Sequence, residues 1–176
     1  MSKVVLFAAS LLVVAGVASA GIIDPCNSPV VYTGPGIACY FSCPQGDNDS
    51  FSQQGFSFAF TVNDLVGQPI ENIPASDFWL IDCDPTLDLT LCAGSASSTA
   101  DSATNSNGQT TMSDGTLNAG GCADGLSPVV QGFVLEDPGA GCTPYCYTIL
   151  VRSPDLDGSL EVNLVDLALF SSCFSP

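Results

Sequence analysis

The stretch Gly55-Phe56-Ser57-Phe58-Ala59-Phe60-Thr61-Val62 decides the fold class of this chain. Large apolar side chains alternate in it with small or polar ones, which is the period-two pattern of a half-buried β-strand. In a helix the same three phenylalanines would be scattered around the cylinder instead of sharing one face. The stretch therefore predicts a strand with an aromatic inner face.

On both sides of this stretch, the chain contains short apolar runs separated by residues that favour turns. The further predicted strands cover 30–33, 70–73, 78–81, 87–91, 129–135 and 145–151. Turn residues such as Gly67-Gln68-Pro69, Asn107-Gly108 and Asp137-Pro138-Gly139 stand between them. Short strands with frequent turns predict an all-β sandwich. Trp79 lies in one of these strands and is predicted to pack in the core.

The N-terminus is typical of an export signal. Lys3 is followed by an apolar stretch over 4–17 and by Ala18-Ser19-Ala20, a cleavage pattern that would leave Gly21 as the first mature residue. The apolar stretch is short for a membrane span, which needs about 20 residues. We expect residues 1–20 to be a cleaved signal peptide and the mature chain to be secreted or periplasmic, with no membrane segment.

Charge and composition exclude several function classes. The 176 residues include 18 acidic side chains, 2 basic ones and no histidine, for a net charge of −16. Nucleic-acid binding by phosphate neutralisation requires several basic contacts. Histidine, the commonest general base, is absent, and no G-x-S-x-G elbow is present. We therefore predict no enzyme activity, no catalytic residue and no organic cofactor, although a carboxylate pair for glycoside hydrolysis remains an alternative.

Cysteine usage agrees with export. All nine cysteines follow residue 20, and an exported chain rich in cysteine normally oxidises them. We favour disulfides over a zinc site, with Cys83–Cys92 as a plausible local bridge. Because nine is odd, at least one cysteine is unpaired or bonds another chain. Cys173, alone near the C-terminus, is the candidate, and a disulfide-linked dimer through it is one predicted partner arrangement.

Two segments carry a resemblance to bacterial immunoglobulin-like domains. Residues 60–70, followed by Glu71-Asn72-Ile73-Pro74, look like the early strand–turn–strand signature of these domains. Residues 100–111, with Asn107-Gly108-Gln109-Thr110, look like their later hairpin. The resemblance implies an immunoglobulin-like β-sandwich over residues 21–152, here with more cysteines than that family usually has.

The segment Asp155-Leu-Asp-Gly-Ser-Leu-Glu-Val-Asn-Leu-Val-Asp166 carries the ligand spacing of a 12-residue calcium loop. The oxygen-bearing residues at positions 1, 3, 5, 7, 9 and 12 are Asp155, Asp157, Ser159, Glu161, Asn163 and Asp166. Calcium is a hard cation that takes six to eight oxygen ligands, and position 7 supplies its backbone carbonyl. The pattern therefore predicts a Ca²⁺ site, with the Glu161 side chain turned outward.

This segment resembles the type I dockerin repeat, a calcium loop and helix found in secreted carbohydrate-active proteins. The resemblance carries the family's ligands onto Asp155, Asp157, Ser159, Asn163 and Asp166. Position 6, normally glycine, is Leu160 here, and the chain has one such loop where dockerins have two. Ion affinity is accordingly expected in the weak range of about 10⁻⁴–10⁻³ M.

A capped helix without metal is the alternative interpretation, with Asn163 at the N-cap and Asp166 at N3. With either interpretation, residues 153–176 form a loop-and-helix tail. We expect an exported, non-catalytic accessory or structural protein with an unidentified protein or polysaccharide partner. A carbohydrate-associated binding module and a subunit of an extracellular assembly are the alternatives.

Overall fold

The computed structural model describes residues 21–42, 48–84, 86, 89–91 and 98–172. The predicted signal peptide over 1–20 lies outside this part of the chain. Within it the strands are β1 (Val30–Thr33), β2 (Ala38–Phe41), β3 (Ser57–Thr61), β4 (Phe78–Asp82), β5 (Thr90–Leu91), β6 (Gln109–Met112), β7 (Ala119–Gly120), β8 (Cys122–Ala123), β9 (Leu126–Val130), β10 (Phe133–Val134), β11 (Glu136–Asp137), β12 (Thr143–Pro144) and β13 (Ile149–Arg152). Helix α1 spans Leu164–Ser172. The all-β prediction with a short C-terminal helix is confirmed for these residues.

The phenylalanine-rich strand lies at the centre of the first sheet. β3 pairs antiparallel with β1 and β6, giving the order β1-β3-β6. Phe58 and Phe60 are fully buried, whereas Ala59 between them is exposed. Buried and exposed residues therefore alternate along the folded strand as the sequence predicts.

A second sheet, in the order β10-β9-β4, packs against the first. The rings of Phe60 on β3 and Phe78 on β4 lie 5.2 Å apart between centroids. Phe78 and Leu80 face the core, while Trp79 points to the opposite side of β4 and is only partly buried. The prediction of a core tryptophan is therefore wrong, because strand alternation turns that side chain outward.

A third sheet leads into the C-terminal segment. β13 lies between β2, its parallel partner, and β8, its antiparallel partner. Ile149 and Val151 are fully buried and anchor β13 in the core. The two remaining sheets are the pairs β11-β12 and β5-β7. We call residues 21–152 the β body and residues 153–172 the tail, which the end of β13 places beside the third sheet.

Three strand predictions need correction. Residues 70–73 are irregular, and Asn72 adopts a left-handed conformation (φ 64°) that interrupts a strand. The predicted strand over 129–135 is a hairpin, because Gln131 and Gly132 turn the chain between β9 and β10. The predicted strand over 145–151 begins only at Ile149. Of the predicted strand over 87–91, residues 89–91 are described, and Thr90–Leu91 form β5.

Two disulfides join distant parts of the β body. Cys26 bonds Cys142 across 116 residues, and Cys83 bonds Cys146 across 63 residues. The prediction of a Cys83–Cys92 bridge is wrong, because Cys83 is already bonded to Cys146. Loops of this size are expected to gain about 4 kcal/mol from a crosslink in the chain-entropy treatment.

Two described cysteines are free thiols: Cys39, which is exposed, and Cys122, which is partly buried. Cys173, predicted to be unpaired or to link a dimer, lies outside the described residues. Among the described residues, no helix has the length and apolar character required to cross a membrane.

Candidate metal centre

Three carboxylates of the tail converge on one point. Asp155, Asp157 and Asp166 each offer a carboxylate oxygen, and these oxygens lie within 4.8 Å of one another. Asp155 and Asp166 are buried, with 0% and 3% of their surface exposed, while Asp157 is open to solvent. Three acidic groups this close together, two of them out of water, form an oxygen-rich and strongly negative site.

The loop wraps its backbone N–H groups around the two buried carboxylates. Asp155 accepts hydrogen bonds from Ser159 N through Oδ1 (3.1 Å) and from Leu160 N through Oδ2 (2.7 Å). Asp166 accepts from Leu156 N through Oδ1 (2.7 Å) and from Asn163 N through Oδ2 (2.8 Å). The curled loop thus holds the carboxylates from its first and last positions beside each other.

Leu160 permits this curl. It adopts a left-handed conformation (φ 66°), which is the backbone conformation that glycine favours. The sequence showed leucine at this position as a departure from the calcium-loop pattern, yet the backbone makes the turn that the pattern requires. A non-glycine residue in this region costs roughly 1–2 kcal/mol.

The other three predicted ligands, Ser159, Glu161 and Asn163, lie between Asp157 and Asp166 in the loop. The backbone carbonyl of Glu161 accepts from Ser159 Oγ and from Asn163 Nδ2, both at 3.3 Å. The Glu161 carboxylate is exposed and does not join the cluster of three aspartates. Its side chain therefore lies apart from the cluster.

Asn163 and Asp166 also begin helix α1. Asn163 Oδ1 accepts from Val165 N (2.8 Å), while Asp166 reaches back to Asn163 N. This reciprocal pair is the capping box that the sequence raised as the alternative to a metal site. The two interpretations are compatible, since Asp166 both caps the helix and belongs to the carboxylate cluster.

Electrostatics distinguish the two buried carboxylates. Burial raises the pKa of Asp155, and the Asp157 side chain and the charge of Asp166 raise it further, against the N–H groups of Leu160 and Ser159. The pKa of Asp166 is lowered, mainly because Asn163 N–H stabilises the charged form. Of these two buried carboxylates, Asp155 is the one whose surroundings disfavour the charged form, and a bound cation would relieve it.

The cluster is seated on the β body through two glycines that sequence reasoning missed. A Cβ atom on Gly120 would overlap Oδ2 of Asp155, and Gly121 N donates to the Asp155 carbonyl at 2.7 Å. Both glycines are buried in and after β7. The run Ala119-Gly120-Gly121 was the signal available in the sequence, because paired glycines often mark a close backbone approach.

A second acidic turn, Asp82-Cys83-Asp84, behaves differently. Asp82 Oδ1 accepts from Asp84 N, and Asp84 Oδ1 accepts from Thr86 N, both at 2.9 Å. These are turns that aspartate commonly stabilises through its own backbone. Burial raises the pKa of Asp82, with a further rise from the charges of Asp84 and Asp124. Among the described residues, the carboxylates of this turn do not belong to a cluster of three acidic groups.

Comparisons of the chain with protein-family models, curated proteins and solved structures found no match. The inference of function therefore depends on the motifs and the local geometry described above.

Proposed function

We propose that the chain is an exported, non-catalytic accessory or structural protein whose tail binds Ca²⁺. The β body would be an immunoglobulin-like sandwich held together by disulfides. The observation that carries the proposal is the convergence of Asp155, Asp157 and Asp166 within 4.8 Å in a loop curled at Leu160. Carboxylate, carbonyl and hydroxyl oxygens are the donors that a hard cation such as calcium takes.

The ligand set would combine two kinds of oxygen. Asp155, Asp157 and Asp166 supply charge, while Ser159 Oγ, Asn163 Oδ1 and the Glu161 carbonyl are the neutral donors of the same loop. Asn163 Oδ1 would have to serve the ion in addition to Val165 N, which an amide oxygen with two lone pairs allows. With three carboxylates and a strained turn, the affinity is expected in the weak extracellular range of about 10⁻⁴–10⁻³ M.

The ion would act as a structural clamp between the tail and the β body. Asp155 contacts Gly120 and Gly121, so a cation held by Asp155 and Asp166 would tie the start of helix α1 to β7. A ligand that binds only the folded state stabilises it by mass action. At 10 mM Ca²⁺ and the affinity above, the gain would be about 1.4–2.7 kcal/mol.

Calorimetric titration of residues 21–176 with Ca²⁺, paired with thermal melts in EDTA and in Ca²⁺, tests the proposal. Asp155→Asn should abolish the heat of binding and the calcium-dependent rise in Tm, because it removes the buried charge. The matched control is Asp101→Asn, a charge change in a β-body loop that should leave both unchanged. A parallel titration with Mg²⁺ should give a smaller response, since Mg²⁺ requires a tighter octahedral shell.

A wild-type protein with no calcium-dependent change in either measurement would contradict the metal site. The tail would then be the capped helix alone, and Asp166→Ala would lower its helicity with or without calcium.

A second candidate function is favoured by one specific observation in the β body. The rings of Tyr145 and Tyr147 are nearly parallel, at 9°, with centroids 5.7 Å apart, and both side chains are partly exposed. Aromatic rings with one accessible face can pack on the apolar faces of sugar rings, which would make the chain a carbohydrate-associated binding module. Affinity electrophoresis in soluble polysaccharides should show retardation lost in Tyr145→Ala and kept in Phe133→Ala, an exposed aromatic elsewhere.

A further inference from the structure

The tail exposes a continuous apolar surface next to the third sheet. Phe41 of β2 is 62% exposed, and Leu167 and Phe170 of helix α1 are 60% and 54% exposed. Leu156 and Val162 from the loop complete this surface, which surrounds a groove of about 410 Å³. We name these five residues the C-terminal apolar face.

Helix α1 has the composition of a buried helix. Its sequence is Leu-Val-Asp-Leu-Ala-Leu-Phe-Ser-Ser, and its single charged residue, Asp166, is turned into the loop and 3% exposed. A helix that is apolar around its circumference normally lies inside a larger structure. In the described part of the chain, this helix instead presents leucine and valine side chains to solvent.

The charge distribution limits what can cover this face. The chain carries a net charge of −16, yet Asp166 is the one ionisable residue among the described residues that line the groove, and its carboxylate accepts backbone N–H groups. A basic partner would therefore find no free carboxylate among the described residues of the groove lining. A second copy of the chain can bring the same apolar lining into contact without burying an unpaired charge.

The area of the face is sufficient for a modest dimer. At roughly 200 Å² for a large apolar residue, the exposed fractions of the five residues amount to about 500 Å² per copy. Two copies would bury about 1,000 Å² in total, which is the size of a small, weak interface. A face of this size lies in the upper part of the range of about 300–600 Å² found for the largest apolar patch of a monomer, and such patches are often functional.

We propose that the C-terminal apolar face binds the same face of a second copy and makes the protein a symmetric, non-covalent dimer. A two-fold interface uses one self-complementary patch on both subunits. At this interface size the association is weak, with the dimer favoured at high protein concentration. The proposal does not depend on calcium, since the apolar residues and not the ion make the contact.

Sedimentation equilibrium of oxidised residues 21–176 in calcium buffer tests this, over about 1–500 µM to bracket a micromolar dissociation constant. The wild type should rise from the mass of one chain to the mass of two. Leu167→Glu should stay at one chain throughout. Phe41→Ser should also stay at the mass of one chain. Because Phe41 lies in β2 and not in helix α1, this variant tests the face even if the helix variant misfolds. Val66→Glu, at a residue 77% exposed in a turn of the β body, should dimerise like the wild type.

Three results would each overturn the proposal. One is a wild-type mass of one chain at every concentration, and another is undiminished dimerisation of both face variants. The third is a dimer band on a non-reducing denaturing gel, which would assign the association to a cysteine. If the wild type is monomeric and floats with neutral phosphatidylcholine vesicles, and Leu167→Glu does not float, the partner of the face is a lipid surface and not a second copy.

Discussion

The β body and the tail bury opposite kinds of side chain. In the β body, Phe58 and Phe60 are completely buried while Asp101 stays at the surface. In the tail, Asp155 and Asp166 are buried while Leu164 is 80% exposed. The β body is therefore stabilised mainly by apolar packing and two disulfides, whereas the tail is ordered by hydrogen bonds to carboxylates. A region organised around buried acids is suited to holding a cation, and its exposed leucines to contacting another surface.

The largest effect is expected in the β body. Phe58→Ala removes a fully buried ring that contacts Phe56, Phe60 and Tyr147 at centroid distances of 5.3–6.3 Å. We expect the free energy of unfolding to fall by about 3–5 kcal/mol, the usual cost of such a cavity. Urea denaturation measures it. Ala59→Ser, at the exposed position next to it, should change stability by less than about 0.5 kcal/mol. Equal effects would mean that β3 does not separate an inner from an outer face.

The next effect tests the junction between the two regions. Gly120→Ala places a methyl group against Oδ2 of Asp155, so either β7 or the carboxylate must move. Overpacking of this kind typically costs about 1–3 kcal/mol. The same variant should weaken calcium binding, because the added methyl group displaces Asp155, the proposed calcium ligand that contacts Gly120. Urea denaturation and calcium titration measure the two effects.

The control for this variant is Gly36→Ala, where an added Cβ meets open space. It should leave both stability and calcium binding unchanged. If Gly120→Ala lowered stability but left the calcium titration intact, the tail and the β body would be independent units.

The sequence predicted different parts of the two regions for different physical reasons. Period-two alternation identified β3 in the β body because each strand face has one environment. It misplaced Trp79, since hydrophobicity alone does not say which face of β4 is the inner one. In the tail, ligand spacing found all three converging aspartates because the loop is local in sequence. Gly120 was missed because its contact with Asp155 spans 35 positions along the chain, a distance that no local pattern records.

The backbone of the loop supplies a smaller test. Leu160→Gly should raise the free energy of unfolding by about 0.5–1 kcal/mol, because glycine adopts the left-handed conformation at φ 66° without steric cost. It should also strengthen calcium binding modestly, since the loop is then preorganised. Val162→Gly in the same loop, at a residue without a positive φ, should destabilise the protein instead. A destabilised Leu160→Gly protein would show that leucine packing outweighs backbone strain there.

The smallest effect concerns pH and contrasts two aspartates. Burial acts to raise the pKa of Asp101. Hydrogen bonds from Ser113 N, the Thr111 and Ser113 hydroxyls and Asp114 N outweigh burial and lower the pKa. A carboxylate whose folded pKa is depressed contributes stability above its unfolded pKa, and that contribution is lost as the pH falls through the folded pKa. Asp101→Asn should therefore be less stable than the wild type at neutral pH, and the difference should vanish as the pH falls well below about 4.

Urea denaturation at a series of pH values between neutral and acid measures that difference, which is small because Asp101 is exposed and its charge is screened by water. Asp114→Asn is the control, since it removes a neighbouring charge and keeps every hydrogen bond to Asp101.

Asp155 gives the opposite sign without calcium, because burial raises its pKa and its ionisation opposes folding as the pH rises. Asp155→Asn should then gain stability relative to the wild type in EDTA at neutral pH, and lose it in calcium. Loss in both conditions would mean that the N–H groups of Leu160 and Ser159 alone offset the burial of that charge.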